Sequence, residues 1–280
     1  MNKKTLTLSD FEEAFGEKLS PRVAQKIAAA GLEVTPLSPS ERDSVLLAII
    51  KTLLDPNIER VGAHRIAKWE KGWGDNLAAL KEGKGEALVP YYFKNDAIAR
   101  WRGEFIRPSA PGFDYKSLEI ILEWIYELYG LDWAEASQGI ISEMVSQGKI
   151  TNVEGKRFDF FNPDASFALA DESIAYTVAA LEQVGENHEK FIEYLLGQPG
   201  LSMAVHVEPV AELLDSNNLL DYLSIEYFRR RNYLWGFLTN LRRLEAEGKI
   251  KIHRAQRTNI GGTMFVEHYQ VIAWSPVKRA

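Results

Sequence analysis

The sequence predicts an α/β fold in which a mainly parallel sheet ends in an antiparallel β-hairpin and follows an all-helical N-terminal region. Three observations predict it. The first hundred residues carry helix start and stop signals around apolar stripes of helical period. After residue 128, short apolar runs alternate with helical patterns, as in folds with a parallel sheet. Near the end, two apolar runs flank residues 259–262 (NIGG), whose composition is that of a hairpin turn.

The composition excludes several classes of protein. The chain has 280 residues, of which 46% are hydrophobic and 26% charged, the balance of a globular protein. Zero cysteines exclude disulfides and thiolate chemistry, and five scattered histidines predict no metal site. A net charge of -6 argues against a nucleic-acid partner. We recognise neither an apolar run of the roughly 20 residues that span a membrane nor a signal peptide, so we expect a cytoplasmic protein without a membrane partner.

Three helices are predicted in the first sixty residues from their capping residues. A Ser-x-x-Glu capping box opens the first helix, Ser followed by Pro opens the second, and a Ser-x-x-Asp pair opens the third. Glycine ends the second helix, and an Asp-Pro pair ends the third. The signals are Ser9 and Glu12 for the first helix, Ser20, Pro21 and Gly31 for the second, and Ser40, Asp43, Asp55 and Pro56 for the third.

A stretch rich in tryptophan and a linker follow these helices. Residues 64–77 contain two tryptophans, and further aromatic residues lie at 90–93. Residues 108–112 (PSAPG) combine proline and glycine, which is typical of a linker. We therefore divide the chain into a helical region, 1–112, and a second domain, 113–280.

In the second domain, the patterns predict alternating strands and helices. Short apolar runs are assigned to strands, and longer stretches with an apolar stripe are assigned to helices. Gly148 and Gly248 end two of the helices. The order is helix 115–126, strand 128–131, helix 135–147, strands 157–161 and 173–178, helix 187–196, strand 201–207, helix 219–247, and strands 250–257 and 264–274.

The strand segments of this domain carry a resemblance to a known family. They are 128–134 (LYGLDWA), 158–161 (FDFF), 176–184 (YTVAALEQV), 205–209 (VHVEP) and the final hairpin. In this order they resemble the strands that follow the first strand of class I S-adenosylmethionine (SAM)-dependent methyltransferases. The resemblance covers roughly residues 60–275 and depends on the order of the segments. It implies a Rossmann-like fold and SAM as the cofactor.

The resemblance also implies where SAM would bind. Asp132 corresponds to the acid that holds the ribose hydroxyls, and a carboxylate at a strand end can accept two hydrogen bonds from a diol. Asp159 corresponds to an acid near the adenine. Other roles stay open for both residues: a helix N-cap for Asp132, and a solvated strand residue for Asp159. The implied cofactor-binding residues are Asp132, Trp133, Asp159, Phe160 and Thr177.

One segment of the family's pattern is missing. Members open with a strand, a glycine-rich turn and a helix that hold the amino-acid end of SAM, where any Cβ would collide with the ligand. Here the Gly-x-Gly triplets at 72–74 and 83–85 do not follow a strand, and residue 127 runs directly into the strand at 128. We place the missing segment between residues 127 and 128. Three explanations stay open. The chain has lost the segment, the segment is present in the protein but absent from this sequence, or the strand at 128 is matched to the wrong strand of the family.

Candidate catalytic residues follow two predicted strands and begin the tryptophan-rich stretch. A general base can remove the proton of a methyl acceptor. The candidates, in falling order, are Glu182, Glu208 and His64. The two glutamates could instead be solvated polar groups beside a strand end. The aromatic residues of the tryptophan-rich stretch could instead pack in the core. The candidate substrate-binding residues are Trp69, Gln183, Tyr91 and Arg102.

Three further features are interpreted as structural. His206 lies in the middle of a strand among apolar residues, and His268 lies on the last predicted strand, so both are expected to be core histidines. The three arginines at 229–231 are expected on a solvated turn of the long helix, with binding of phosphate or nucleic acid as the alternative.

The leading functional hypothesis is methyl transfer from SAM to an oxygen, or to a nitrogen, of a small polar acceptor such as a sugar. The helical region would supply a lid and a substrate pocket. Two alternatives stay open. Without the glycine-rich unit, the chain could be a non-catalytic binding or scaffold protein derived from a methyltransferase. Residues 118–161 and 219–274 could instead form tandem winged-helix DNA-binding units, which the acidic balance opposes.

Overall fold

The fold is described from a computed structural model, which describes residues 3–83, 98–125, 135–148, 155–267 and 269–277. Within these ranges, no helix is both long enough and apolar enough to cross a membrane. The helices are α1 Leu8–Phe15, α2 Pro21–Ala30, α3 Pro39–Leu54, α4 Ile66–Lys81, α5 Phe113–Ile125, α6 Glu135–Ser146, α7 Glu189–Leu196, α8 Leu219–Arg231 and α9 Phe237–Ala246. The strands are β1 Lys4–Thr5, β2 Glu33–Pro36, β3 Ala99–Trp101, β4 Glu104–Pro108, β5 Ser173–Val178, β6 Leu201–Glu208, β7 Ile250–Gln256, β8 Ile260–Gly261 and β9 Gln270–Pro276.

The first three helices lie where the sequence predicts them, but two caps differ. α2 begins after its Ser20 cap and ends at Gly31, which has a left-handed φ of 55°. α1 and α3 begin two residues earlier than the predicted capping boxes indicate. For α3 the reason is Pro39, because the fixed φ of proline suits the first helical position and makes the preceding serine the cap. The observed boxes are Thr7 with Asp10 and Ser38 with Glu41.

The N-terminal region is not all-helical, which corrects the sequence prediction. Among the described residues, β1, β2, β4, β3 and β8 form a five-stranded antiparallel sheet in that order. Its strands are too short to show the alternation by which a strand is recognised in a sequence. β8 falls inside the segment predicted as a simple hairpin turn, and its Ile260 pairs with Trp101 of β3.

The second sheet has the strand order β5-β6-β9-β7 over the part of the chain that the structure describes. β5 and β6 are parallel, whereas β9 is antiparallel to both β6 and β7. Parallel strands followed by an antiparallel end are therefore present, but the described sheet is not mainly parallel. The predicted strand 128–131 lies outside the described residues. β9 lies inside the sheet between two strands, unlike the exposed hairpin of a winged-helix unit.

Residues 157–161 do not form a ladder strand, which corrects a second prediction. Asp159 closes a turn, because its Oδ1 accepts the backbone N–H two residues later at 2.9 Å. The rings of Phe158 and Phe160 meet Phe191 of α7 edge to face. The pattern of an acid between two phenylalanines, interpreted from the sequence as the alternation of a strand, is therefore a turn with both phenylalanines buried.

The helix predicted over residues 219–247 is two helices, α8 and α9. α8 ends at Asn232, which has a φ of 59°, and Gly236, with a φ of 73°, precedes α9. Left-handed residues cannot continue a right-handed helix. The break lets Tyr233, between the two helices, be buried with only 7% of its surface exposed.

β6 carries apolar core on both of its faces. Val205 and Val207 belong to a cluster that also contains Phe11 of α1 and Ile121 of α5. Ala204, on the opposite face, packs in a second cluster with residues of α7 and α9. Helix α1 of the N-terminal region and helix α5 thus cover one face of the second sheet. The domain division at residue 112 stays a prediction.

Candidate functional site

The carboxyl ends of β5 and β6 form the candidate site. The two strands are parallel and Val178 pairs with Val207, so both strands end at the same edge of the sheet. Ala179, with a φ of 46°, turns the chain from β5 into a short 3-10 helix, Leu181–Val184. In open α/β sheets, ligands bind at this edge. Four of the predicted residues lie here, namely Thr177, Glu182, Gln183 and Glu208.

Glu208 anchors the loop that follows β5. Its fully buried carboxylate accepts the backbone N–H groups of Ala180 (3.1 Å), Leu181 (3.0 Å) and Glu182 (3.1 Å). Burial raises the pKa of Glu208 to about 7, and the donated hydrogen bonds oppose that rise. Both carboxylate oxygens are therefore already engaged in holding the loop.

A chain of hydrogen bonds reaches Glu208 from the interior of the sheet. The indole N–H of Trp274 donates to His206 Nε2 at 3.0 Å, and an indole can only donate. His206 Nε2 is therefore an acceptor, and Nδ1 carries the proton that is donated to Thr177 Oγ1 at 3.0 Å. The Thr177 hydroxyl in turn donates to Glu208. Burial lowers the pKa of His206 to about 3, so the ring stays neutral, in agreement with a core histidine.

Glu182 is the second buried carboxyl at this edge of the sheet. Its side chain is 6% exposed, and its Oε1 accepts the Gln183 amide N–H at 2.6 Å. Its buried Oε2 has no hydrogen-bond partner among the described residues. Burial, and then the charge of Glu208, raise the pKa of Glu182 to about 8. Glu182 therefore holds a proton at neutral pH that it can exchange with a bound molecule.

Two arginines line the side of the site that faces α4 and α8. Arg65, 7% exposed, donates to Gln183 Oε1 at 2.6 Å and lies over the ring of Trp69, 5.4 Å from its centre. Arg231 lies at the same distance over the ring of Tyr233. Both guanidinium charges favour the ionised form of Glu182 and so oppose the rise of its pKa. Arg65, which belongs to the tryptophan-rich stretch, thus connects this stretch with the carboxyl ends of the strands.

Arg231 is a site residue that the sequence analysis did not identify. The triplet 229–231 was expected on a solvated turn, which is right for Arg229, whose side chain is 59% exposed. It is wrong for Arg231, whose side chain is only 13% exposed, because the end of α8 turns this position inward. Three consecutive helical residues span about 200° around the helix axis, so the three arginines could not be expected to be equally solvated.

Trp69 contacts the group through Arg65, and the remaining predicted residues lie apart from it or outside the described residues. His64 is exposed on a short helix before α4, and its neighbour in sequence is the buried arginine. Arg102 lies in the surface turn between β3 and β4, where it pairs with Glu13. Asp159 and Phe160 lie in the turn packed on α7. Outside the described residues are Asp132, Trp133, Tyr91, His268 and the junction of residues 127 and 128.

Comparisons with known proteins give likenesses in structure only. No protein-family model and no curated protein matches the chain. It is similar to the O-methyltransferase NcsB1 from neocarzinostatin biosynthesis, in complex with SAM and 2-hydroxy-5-methyl naphthoic acid (14% identity, 85% of this chain and 70% of that chain, TM-score 0.39). It is also similar to RosA, the N,N-8-amino-8-demethyl-D-riboflavin dimethyltransferase of Streptomyces davawensis (13% identity, 98% of this chain and 90% of that chain, TM-score 0.37).

A third likeness is to LaPhzM, at 13% identity over 53% of this chain, with a TM-score of 0.36. The chain spans only 42% of the length of LaPhzM. At these identities and TM-scores, the likenesses carry no argument about the activity of this chain.

Proposed function

We propose that the chain is a SAM-dependent methyltransferase that acts on a small polar molecule. The observation that supports it best is the buried, proton-bearing Glu182 at the carboxyl edge of a parallel strand pair. This edge is the ligand-binding edge of α/β sheets, and a pKa displaced toward neutrality is typical of a general acid or base. The order of the sequence segments, which resembles that of class I methyltransferases, supplies the reaction type.

SAM, when bound, supplies a methyl group that is already electrophilic, which leaves the protein to hold the acceptor and remove its proton. Glu182 suits the second task, because its pKa of about 8 leaves about a tenth of the molecules ionised at pH 7. Its unpartnered Oε2 is the atom that would accept the proton of an acceptor hydroxyl or amine. Glu208 would act through the loop, because its oxygens hold the backbone N–H groups that position Glu182.

The described residues do not themselves form a cradle for SAM. Thr177 is already bonded to His206, Phe160 is 9% exposed in an aromatic cluster, and Asp159 is engaged in its own turn. Asp132, the implied ribose ligand, lies outside the described residues. We therefore derive no step through the cofactor. The acceptor site at Glu182 and the cofactor site stand as separate parts of the proposal.

These internal contacts favour a second candidate function, that of a non-catalytic binding protein derived from a methyltransferase. In that case Glu182 would contribute a hydrogen bond to a ligand without any transfer. The choice of oxygen over nitrogen, a sugar as acceptor, a cytoplasmic location and the lack of a nucleic-acid partner are retained as parts of the first proposal.

Isothermal titration of the full chain with SAM and with its demethylated product, S-adenosylhomocysteine, tests the proposal. We expect both to bind, with dissociation constants in the range of about 1 µM to 1 mM that is usual for enzyme ligands. Glu182→Gln serves as the matched control and should keep both affinities, because Glu182 is assigned to the acceptor and is uncharged at neutral pH. An absence of heat with millimolar SAM, for a chain that is folded by circular dichroism, would leave the non-catalytic binding protein.

A further inference from the structure

Three cationic side chains converge on one carboxylate oxygen beside the candidate site. Glu59 Oε2 lies 2.7 Å from Lys68 Nζ, 3.4 Å from Arg65 Nη2 and 3.8 Å from Arg231 Nη1. Glu59 lies on the segment between α3 and α4, Lys68 lies on α4, and Arg231 ends α8. Separate parts of the chain therefore bring positive charge to a single point.

The positive charge at this point exceeds the negative charge. Among the described residues, one carboxylate, Glu59, lies within 4 Å of these three cations, and the next acid inward, Glu182, keeps its proton at neutral pH. Arg60, which donates to Asn232 at the end of α8, adds to the positive side. An excess of positive charge at a partly enclosed place raises the local concentration of small anions.

The arginines are held in place but are not fully satisfied. Arg65 is 7% exposed, and its buried Nε, like the Nε of Arg231, has no hydrogen-bond partner in the part of the chain that the structure describes. Burying a guanidinium donor without an acceptor is unfavourable. Trp69 and Tyr233 lie against the faces of the two guanidinium groups and fix their planes. An additional anionic acceptor at this place would be stabilised.

Glu59 is the replaceable member of the group. Its side chain is 40% exposed, whereas those of Arg65 and Arg231 are 7% and 13% exposed. We propose that Arg65, Lys68 and Arg231 form an anion subsite for the carboxylate of a small molecule, and that Glu59 is a resident carboxylate which this ligand displaces. That the ligand is the methyl acceptor rests on the proposed function, whereas the binding of a carboxylate does not.

A carboxylate is favoured over other anions because one already occupies the position. A planar two-oxygen group also matches the fork of an arginine, which can donate two parallel hydrogen bonds to it. The inferred acceptor is thus a small carboxylate whose hydroxyl or amine would lie toward Glu182.

Calorimetric titration of the full chain with benzoate, in the absence of SAM, tests the subsite. We expect measurable binding to the native chain, binding at least about tenfold tighter to Glu59→Gln, because the competing carboxylate is removed, and a loss of at least about tenfold in Arg231→Gln. Arg229→Gln is the matched control, because this exposed arginine lies on the same helix and pairs with Glu226. It should bind benzoate like the native chain.

Three outcomes would overturn the inference. They are benzoate binding no tighter to Glu59→Gln than to the native chain, an equal loss in Arg229→Gln and Arg231→Gln, and inorganic phosphate binding more tightly than benzoate. Because Glu59 is exposed, its variant should fold, so the test does not depend on the buried arginine. Benzoate binding in a chain that fails to bind SAM would refute the proposed function and keep the subsite.

Discussion

Glu182 and Glu208 are two buried carboxyls that differ in the number of hydrogen bonds they accept. Glu208 accepts three backbone N–H groups and the Thr177 hydroxyl, whereas Glu182 accepts one amide N–H. Hydrogen bonds donated to a carboxylate favour its charged form, so Glu208 ionises first, near pH 7, and Glu182 follows near pH 8. The proton of the pair therefore stays on Glu182, the member with an oxygen that has no hydrogen-bond partner among the described residues.

The free energy of unfolding should depend on pH because of the proton on Glu182. The folded chain keeps it up to about pH 8, whereas the unfolded chain releases it near the ordinary value of 4.5, so stability falls as the pH rises through this window. Glu182→Gln removes the ionisation. Urea unfolding at pH 8 should show the variant about 4 kcal/mol more stable than the native chain, with the difference shrinking toward pH 5. Parallel stability profiles for the two chains would show that Glu182 titrates normally.

At the scale of elements, the longer helices and the central strands could be predicted from the sequence. β5 has the predicted bounds, α2 has the predicted caps, and α5, α6 and α7 lie within two residues of their predicted starts. These elements have local signals, namely capping residues and apolar periodicity. Of the two residues that break the predicted long helix, Gly236 is recognisable in the sequence. Asn232 is not, because local packing decides its left-handed conformation.

The loop that carries Glu182 is fitted against the break between α8 and α9. Gly185, with a φ of 62°, ends the short helix, and a Cβ there would lie 2.3 Å from Asn232 Nδ2 and 2.8 Å from its backbone oxygen. The loop and the turn after α8 therefore approach each other more closely than any residue but glycine allows.

Gly185→Ala should destabilise the chain by about 3 kcal/mol, because it combines a left-handed backbone with a collision against backbone atoms. Gly236→Ala is the matched control. Its φ is 73° and its Cβ would meet nothing within 4 Å, so only the backbone cost of about 1 kcal/mol is expected. Urea unfolding of both variants measures the difference. Equal losses would mean that the close approach to Asn232 does not matter.

At the scale of the whole molecule, a buried group of charges joins the two sheets. Arg100 of β3 is 1% exposed and lies 3.6 Å from Asp221 of α8 and 3.5 Å from Glu267, while Arg257 contacts the same two acids at 2.6 Å. The short strands β3 and β8 meet next to this group. Most of the N-terminal sheet could not be predicted, because β1, β2 and β8 pair with strands that are distant in sequence and leave no local pattern. β3 and β4 form a local hairpin, but their strands are short.

Asp221→Asn should lower the free energy of unfolding by about 3–5 kcal/mol, because it leaves the buried Arg100 and the partly buried Arg257 facing one acid. Arg243→Gln is the control, since it removes an exposed ion pair with Glu247 on α9, and its effect should be much smaller. Thermal unfolding of the two variants at one pH checks the prediction. A loss in Asp221→Asn no larger than that in Arg243→Gln would show that the charge group does not hold the sheets together.

The protonation of Glu182 is best measured directly, by infrared spectroscopy of the carboxyl C=O stretch in the native chain and in Glu182→Gln. The site described above predicts a band of a buried, protonated carboxyl at pH 7 that is missing from the variant and that disappears with a midpoint of about pH 8. If the native chain and the variant give the same spectrum from pH 6 upward, Glu182 is an ordinary ionised carboxylate and the proposed acid–base site does not exist.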